Sequence, residues 1–295
     1  MNNNTPLLSI GLPVYNSSAY LNEVLDSLLN QSYTNFELII SDDASKDDTA
    51  SICKSYEQND NRIRFITQKS NIGMINNQNF VLNQAQGVYF MWAAHDDYYH
   101  KDFVQTLINE LEQNNKIITA FCPIAIFSET TDDVIKVCKW DFPGKTSFSR
   151  IISFCLHFND ASFYGIHRRQ ILEKIKVPIW WGKNSLTPAN SNYPVVFYLL
   201  ASGGYALKGD TPLFYKRKKD AAYLLNPYNH GLAPYLYLIS RKINLFFESI
   251  KYIYKGSHSL PITLSLVIPI FFRISSDTFF DTYYRLKCSI LKREM

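Results

Sequence analysis

Apolar and polar positions in the first half of the chain switch repeatedly between two periods. Leu7–Leu12 is a short apolar run with Gly11 inside it and Pro13 after it, which predicts a buried strand. In Ser18–Leu29 the residues Tyr20, Leu21, Val24, Leu25, Leu28 and Leu29 fall at helix-face spacing, with Ser17 or Ser18 as the expected cap. Phe36–Ile40 predicts a second strand. Asp48–Tyr56 predicts a helix with Asp47 or Asp48 at its positive end. Ile63–Ile66 predicts a third strand, Asn76–Gln86 a helix stopped by Gly87, Val88–Ala93 a fourth strand, and Phe103–Leu111 a further helix. Ile117–Phe127 is a long apolar run and predicts a strand at the sheet centre, with Pro123 marking a bulge or an end.

Strands and helices alternating at this spacing imply an α/β fold, a mostly parallel sheet covered by helices on both faces. Ligands of such sheets sit beyond the carboxyl ends of the strands. Asp42-Asp43 and Asp96-Asp97 follow predicted strands two and four, so both pairs are expected on one rim. After Ser128 the pattern weakens. Thr130–Val137 predicts a small hairpin, Phe148–Phe158 and Arg168–Ile175 helices, and Trp180–Asn192 a loop. Tyr193–Ala201 reads as a helix, Tyr205–Leu207 and Leu213–Lys216 as short strands, and Pro234–Tyr254 and Asp277–Lys292 as helices. The expected division falls near residue 220, with a catalytic and binding domain over 1–220 and a helical extension over 221–295.

Composition narrows the class. Of 295 residues, 46% are hydrophobic and 15% aromatic, ample for a packed core, which excludes global disorder. The formal charge of +4 is uneven: Pro234–Met295 carries nine Lys/Arg against four Asp/Glu, leaving the rest near −1. A basic tail rich in Phe, Ile, Leu and Tyr suits a membrane surface better than nucleic acid, so peripheral membrane contact through the tail is expected and nucleic acid is not. A helical dimerisation element is the alternative for this tail, which leaves a homo-oligomer open. Cys53, Cys122, Cys138, Cys155 and Cys288 have no CxxC pair and indicate neither a zinc site nor a disulfide framework. Met1–Thr5 is polar and uncharged, without the pattern of a signal peptide. The longest apolar run, near Leu260–Phe272, holds two prolines and falls short of the roughly 20 residues of a membrane span. A cytoplasmic location follows, with the tail placed for the inner face of the cell membrane.

Three segments carry candidate chemistry: Pro13-Val14-Tyr15-Asn16 after strand one, Ser41 to Thr49 with Asp42, Asp43, Asp47 and Asp48 after strand two, and Ala94-His95-Asp96-Asp97 after strand four. Asn71-Ile72-Gly73, with Asn79 beyond it, supports them. In order and spacing these motifs resemble family 2 of the inverting glycosyltransferases, whose fold is called GT-A. The resemblance covers Leu7 to Ile126, continues faintly to Lys219 and does not reach the tail. It implies a GT-A-type sheet and a sugar moved from a nucleotide-diphosphate donor, uridine diphosphate favoured, to a saccharide or lipid-linked saccharide. The setting it implies is bacterial surface polysaccharide synthesis.

The resemblance also implies roles. A diphosphate would be repelled by carboxylates alone, and a divalent cation (Mn2+ or Mg2+) resolves this by binding carboxylate and phosphate oxygens together. Asp96 matches the metal ligand, with Asp97 beside it. The family's usual Asp-any-Asp signature here begins at Ala94, and His95 is the neighbour placed to replace part of the missing carboxylate's work. Asp43 matches the acid that hydrogen-bonds the base, Asp42 is its companion, and Tyr15, beside Pro13, matches the aromatic that packs on base or ribose. Leu213–Lys219 resembles a late strand ending in a basic segment near the diphosphate; a solvated basic edge reads equally well. The position of the proton-accepting carboxylate is filled by no acid: Asn192 stands nearest, and Asp160 is an alternative. Trp180 and Trp181 lie where an acceptor sugar would dock, or else are core residues. Ala94 and Asn192 together favour a competing reading, a degenerate transferase that binds nucleotide-sugar or glycan without turnover. A dinucleotide oxidoreductase is improbable because Pro13–Ser18 contains no GxGxxG run. His157, His167 and His230 are isolated and read as structural.

Overall fold

The computed structural model describes residues 7–128, 133–139, 146–157, 161–175, 177, 192–207, 209, 211–218, 233–271 and 274. The chain divides into two compact units. The first comprises Met1–Asp141, Asn159–Ile179 and Gly203–Asp220, the second Phe142–Phe158, Trp180–Ser202 and Ala221–Met295.

The first unit is built on a seven-stranded sheet and a smaller four-stranded one. Strands β1 (Leu8–Val14), β2 (Phe36–Asp42), β3 (Ile63–Thr67) and β4 (Tyr89–Trp92) alternate with helices α1 (Leu21–Leu29), α2 (Thr49–Asn59) and α3 (Met74–Gln84), as the periodicity predicts. A two-residue strand, β5 (Tyr98–Tyr99), and α4 (Phe103–Gln113) follow. Then come β6 (Ile117–Phe121), β7 (Ile124–Ser128), β8 (Val134–Cys138), β9 (Ile166–Arg168), β10 (Gly204–Leu207) and β11 (Phe214–Lys218). The large sheet runs β10-β6-β9-β4-β1-β2-β3 and is parallel except for β9, antiparallel to both its neighbours. The small sheet runs β5-β11-β7-β8. This is the mixed, parallel-rich α/β architecture expected.

Burial explains why the strands read as continuous apolar runs. One face of the sheet, Leu8, Ile10, Leu12, Leu38 and Ile40, packs with Leu21, Val24, Leu25 and Leu28 of α1 and Val104, Leu107 and Leu111 of α4 in one core cluster. On β4, Trp92 stacks on Phe163 with ring centroids 4.3 Å apart. Strands covered on both faces have no polar alternation to show.

Several local expectations are corrected. Ile117–Phe127 is not one central strand. It breaks at Cys122-Pro123 into β6, next to the edge of the large sheet, and β7, in the small sheet. Proline donates no ladder hydrogen bond, so the chain leaves one sheet there and joins another. The hairpin expected within Thr130–Val137 is formed instead between β7 and β8. Of Arg168–Ile175 only α6 (Arg169–Leu172) is helical, and β9 precedes it. Tyr20, not Ser17 or Ser18, precedes α1, and the Ser17 hydroxyl instead accepts the Tyr15 N–H at 3.1 Å. Helix α3 ends before Gly87, which serves packing: a Cβ there would lie 2.6 Å from the backbone nitrogen of Ser9.

The second unit is helical among its described residues: α5 (Ser147–His157), α7 (Tyr193–Ser202), α8 (Ala233–Ser257) and residues 260–271. From Pro194 to Ala201 every residue of α7 is buried, so it is apolar all round, as a core helix is. Phe154 of α5 meets Phe197 of α7 edge to face at 5.0 Å. The helix expected over Asp277–Lys292 lies outside the described residues.

Candidate active site

Strands β4, β1 and β2 are adjacent and parallel, so the loops after them leave from one edge of the sheet. The register pairs Val14 with Asp42 and Gly11 with Trp92. The Asp43 N–H donates to the Val14 carbonyl and the Ala93 N–H to the Gly11 carbonyl, both at 2.9 Å. Strands β2 and β4 lie two strand spacings, roughly 10 Å, apart across β1. The rim expected from the sequence is therefore present.

The first two loops are laced together by short polar side chains. Asn16 adopts a φ of 48°, a left-handed conformation that asparagine tolerates, and its N–H donates to the Ser45 hydroxyl at 2.9 Å. Its side-chain oxygen accepts the Lys46 N–H at 2.9 Å. The Ser17 N–H donates to the Thr49 hydroxyl at 2.7 Å, and the Ser18 N–H to the Asp47 carboxylate at 3.1 Å. Asp47 also accepts from the Thr49 hydroxyl at 2.6 Å. Desolvation pushes the Asp47 carboxyl upward, but these Thr49 and Ser18 donors outweigh it and bring it down to about 2. Tyr15, between these loops, stays exposed at the rim, and Pro13 lies in β1 opposite Ser41.

Asp42 and Asp43 are only 1% and 2% exposed. Asp42 accepts from the Ser45 N–H at 3.1 Å and from the Ser45 hydroxyl, closing a local turn. Asp43 reaches further: its two oxygens accept the Ile72 N–H at 2.6 Å and the Gly73 N–H at 2.9 Å. Burial raises the Asp43 carboxyl, the two N–H donors oppose this, and the charge of Asp42 adds to the rise. Gly73 sits at φ 87°, where a side chain would be strained, and its N–H also meets the Asn71 side-chain oxygen at 3.1 Å. The second motif and the Asn71-Ile72-Gly73 turn are thus in direct contact. Asn79 is engaged elsewhere: its amide exchanges two hydrogen bonds, 2.8 and 2.9 Å, with the backbone of Val177.

The Asp96-Asp97 loop is held by residues that the sequence pattern did not single out for this task. The buried Asp97 carboxylate accepts the Arg217 N–H of β11 at 2.9 Å. The Arg217 guanidinium donates to the Asp96 carbonyl at 3.2 Å and pairs with Glu23 of α1. It lies over the rings of Tyr20 and Phe127, at 4.3 and 4.7 Å. Arg217 is therefore a buried brace, and of the expected basic segment Lys216 packs over the Tyr164 ring at 5.3 Å. The Ala94 N–H donates to the hydroxyl of Tyr99 at 3.3 Å. Tyr99 stacks on Phe214, and its phenol is pushed well above its ordinary value by burial, with Asp97 and Asp96 adding to the rise. Neither Tyr99 nor Arg217 stands at a spacing that a local pattern could reveal.

His95 and Asp96 are half-buried. Among the described residues no three His, Cys, Asp or Glu side chains gather as a metal cage. One half-buried carboxylate beside a buried one fits a cation that arrives with a diphosphate and takes most of its ligands from phosphate and water. In the helical unit, Asn192 is buried immediately before α7, and its carbonyl accepts the Val196 N–H at 3.1 Å. Asp160, Trp180 and Trp181 lie outside the described residues. His167 is fully buried between the Thr119 hydroxyl and the Phe163 carbonyl, both at 3.0 Å, and burial brings it down to about 4, in keeping with a structural residue.

Comparisons with known proteins bear on the family and the fold. An uncharacterized glycosyltransferase of Haemophilus influenzae is 38% identical over 125 residues, 41% of this chain and 50% of the relative. The glycosyltransferase GlyG of Streptococcus pneumoniae is 31% identical over 109 residues, 37% of this chain and 36% of the relative. The chain thus spans half or less of the length of these curated relatives. Among solved structures, residues 1–349 of TarS from S. aureus superpose with a TM-score of 0.65 at 19% identity, covering 91% of this chain and 72% of that one. The mannosyltransferase PcManGT from Pyrobaculum calidifontis, solved with GDP-Man and Mn2+, gives 0.53 at 13% identity, covering 97% and 86%. At these identities the two structures establish a shared fold. The sequence profile of glycosyl transferase family 2 matches residues 9–176, more than half of the chain, so the protein belongs to that family.

Proposed function

We propose that this protein transfers a sugar from a nucleotide-diphosphate donor, preferentially a uridine diphosphate sugar, to a saccharide or lipid-linked saccharide acceptor, inverting the anomeric carbon. The observation that carries this reading is the shared sheet edge from which the Tyr15, Asp42-Asp43 and Asp96-Asp97 loops leave, with Asp43 bonded to the Asn71–Gly73 turn. TarS has been solved with UDP-GlcNAc and with UDP, and PcManGT with GDP-Man and Mn2+, which supports a nucleotide donor for this fold.

In this reading Tyr15 offers its exposed ring to the base. Each Asp43 oxygen keeps a second lone pair, so the carboxylate can accept a ring N–H of the base while it holds the 71–73 turn. A base lacking that N–H would leave the buried acceptor unpaired and bind less well. Asp96, with Asp97 behind it, would hold a divalent cation (Mn2+ or Mg2+), whose chemistry is to offset charge on the departing diphosphate. Asn192 takes the family's proton-accepting position by resemblance alone. A neutral amide has no basic site for that proton, so it can orient an acceptor hydroxyl but not deprotonate it. The setting we propose, bacterial cell-surface polysaccharide synthesis, rests on the family resemblance alone.

Ala94 and Asn192, each standing where a carboxylate is usual, favour a second reading: donor binding without turnover. Calorimetric titration of uridine and guanosine diphosphate sugars with Mn2+, followed by product analysis on a panel of saccharide acceptors, separates the two. Transfer with inverted stereochemistry supports the enzyme. Tight binding without product supports the second reading, and absence of nucleotide binding removes both. In the enzyme reading Asn192→Asp raises the rate or leaves it unchanged with donor affinity intact.

A further inference from the structure

The helical unit contains a hairpin of α8 and residues 260–271. It turns at residues 257–259, where His258 has a φ of 51°, and the Phe246 and Phe271 rings approach to 5.9 Å at its other end. Thr263, Leu266 and Ile270 form the buried face of the second helix. A surface helix in water presents polar residues on its opposite face. This one presents Leu260, Leu264, Ile268 and Phe271, spaced about a helical turn apart and 58%, 60%, 65% and 55% exposed. On α8, Phe247 and Tyr254 are 63% and 51% exposed, and Lys251 and Lys255 lie exposed at helical spacing among them. Large side chains exposed in a row along one helix mark an interaction surface.

Charge identifies the partner. Between Glu248 and Asp277 the sequence holds Lys251, Lys255 and Arg273 and no carboxylate, and Glu248 at the border pairs with Lys251 at 3.1 Å. A second copy seated on the same stripe by two-fold symmetry would set these cations against their duplicates, with only Glu248, already paired with Lys251, to offset them. An anionic bilayer supplies both complements, acyl chains for the stripe and phosphates for the lysines. No helix among the described residues is long and apolar enough to cross a membrane, so the contact suited to this face is parallel to the surface.

We propose that the hairpin of α8 and residues 260–271 docks on an anionic lipid bilayer, with Leu260, Leu264, Ile268 and Phe271 at the boundary of headgroups and acyl chains. The inference goes beyond the transfer reading and stands on separate observations. Its test is co-sedimentation of the full chain, without donor, with vesicles of phosphatidylcholine mixed with phosphatidylglycerol, against phosphatidylcholine alone. The chain is expected to sediment with the anionic vesicles and to be released by salt. Leu264→Ser with Ile268→Ser should lower the partition at least tenfold. Lys251→Gln and Lys255→Gln should each lower it by roughly fivefold. All four positions are exposed, so thermal midpoint and donor affinity should not move. A chain that stays in the supernatant with anionic vesicles overturns the proposal, as do variants that bind like the parent. A concentration-dependent dimer in sedimentation velocity, abolished by the two serines, would assign the stripe to a second copy instead.

Discussion

The two aspartate pairs stand on the same sheet edge but are supported in opposite ways. Asp42 and Asp43 are held from closer in the chain: by Ser45, and by Ile72 and Gly73 in the loop before α3, 29 and 30 residues beyond Asp43. Asp96 and Asp97 are held from far along the chain, by Arg217 of β11, itself pinned by Glu23, Tyr20 and Phe127. The first pair is buried, and its carboxylates accept backbone N–H groups and the Ser45 hydroxyl. In the second pair one carboxylate, Asp97, is part of the framework, while Asp96 is half-buried. Identical side chains on one sheet edge are therefore held to different degrees, and substitutions should separate their contributions.

The largest contrast is expected within the second pair. Asp96→Ala should lower donor affinity in Mn2+ by on the order of 100-fold while the thermal midpoint stays within error. Asp97→Ala should instead destabilise the fold by roughly 2 kcal/mol, because it leaves the buried Arg217 N–H without its acceptor. Calorimetric titration beside urea denaturation reads both. Equal stability losses would erase the distinction.

A similar loss of about 2 kcal/mol is expected for Arg217→Gln, which removes two ring contacts and the Asp96 carbonyl bond. If the guanidinium positions the loop, Arg217→Lys should recover most of the stability but leave donor affinity several-fold weaker. Full recovery of both would reduce Arg217 to a source of packing and charge. Next in size, Asp43→Asn should cost about 1–2 kcal/mol, since an amide nitrogen cannot accept the Gly73 or Ile72 N–H. It should also narrow the preference for uracil over cytosine, whose N3 carries no hydrogen, read as a ratio of dissociation constants.

The smallest effect concerns acid. The Asp47 carboxyl is lowered to about 2, so its contribution to stability is complete above its ordinary value near 3.8 and is lost as pH falls toward 2. Asp43 is raised, so its contribution has the opposite sign: stability falls as pH rises from the ordinary carboxyl value through its folded value. Asp47→Asn should flatten the drop in urea midpoint between pH 4 and pH 2, by less than about 1 kcal/mol because Asp47 is solvent-exposed. An unchanged acid limb would mean that the lacing of the first two loops contributes nothing measurable.

The same contrast explains what the amino-acid pattern made legible. Strands β1 to β4 and helices α1 to α4 follow from local periodicity. The rim carrying both pairs follows from parallel strands, and the Asn71–Gly73 turn came forward as a motif close to its partner Asp43. What escaped is non-local. Nothing near Asp97 announces Arg217, 120 residues away. Tyr99 reads as one more aromatic until its hydroxyl meets the Ala94 N–H. Three-residue β9 is too short to have a period, yet it turns one position of the sheet antiparallel. Pro123 did mark a break, but only the tertiary structure sends the chain into a second sheet there. Asn79 matched a motif position and its amide is engaged by Val177.

The central claim is that the edge shared by β1, β2 and β4 grips a nucleotide diphosphate. A crystal structure of the full chain with uridine diphosphate and Mn2+ tests it most directly. The account predicts the base beside Tyr15 and Asp43, the diphosphate over the Asp96 loop and the metal in contact with Asp96. Nucleotide bound away from this edge, or metal coordinated without Asp96, would contradict it.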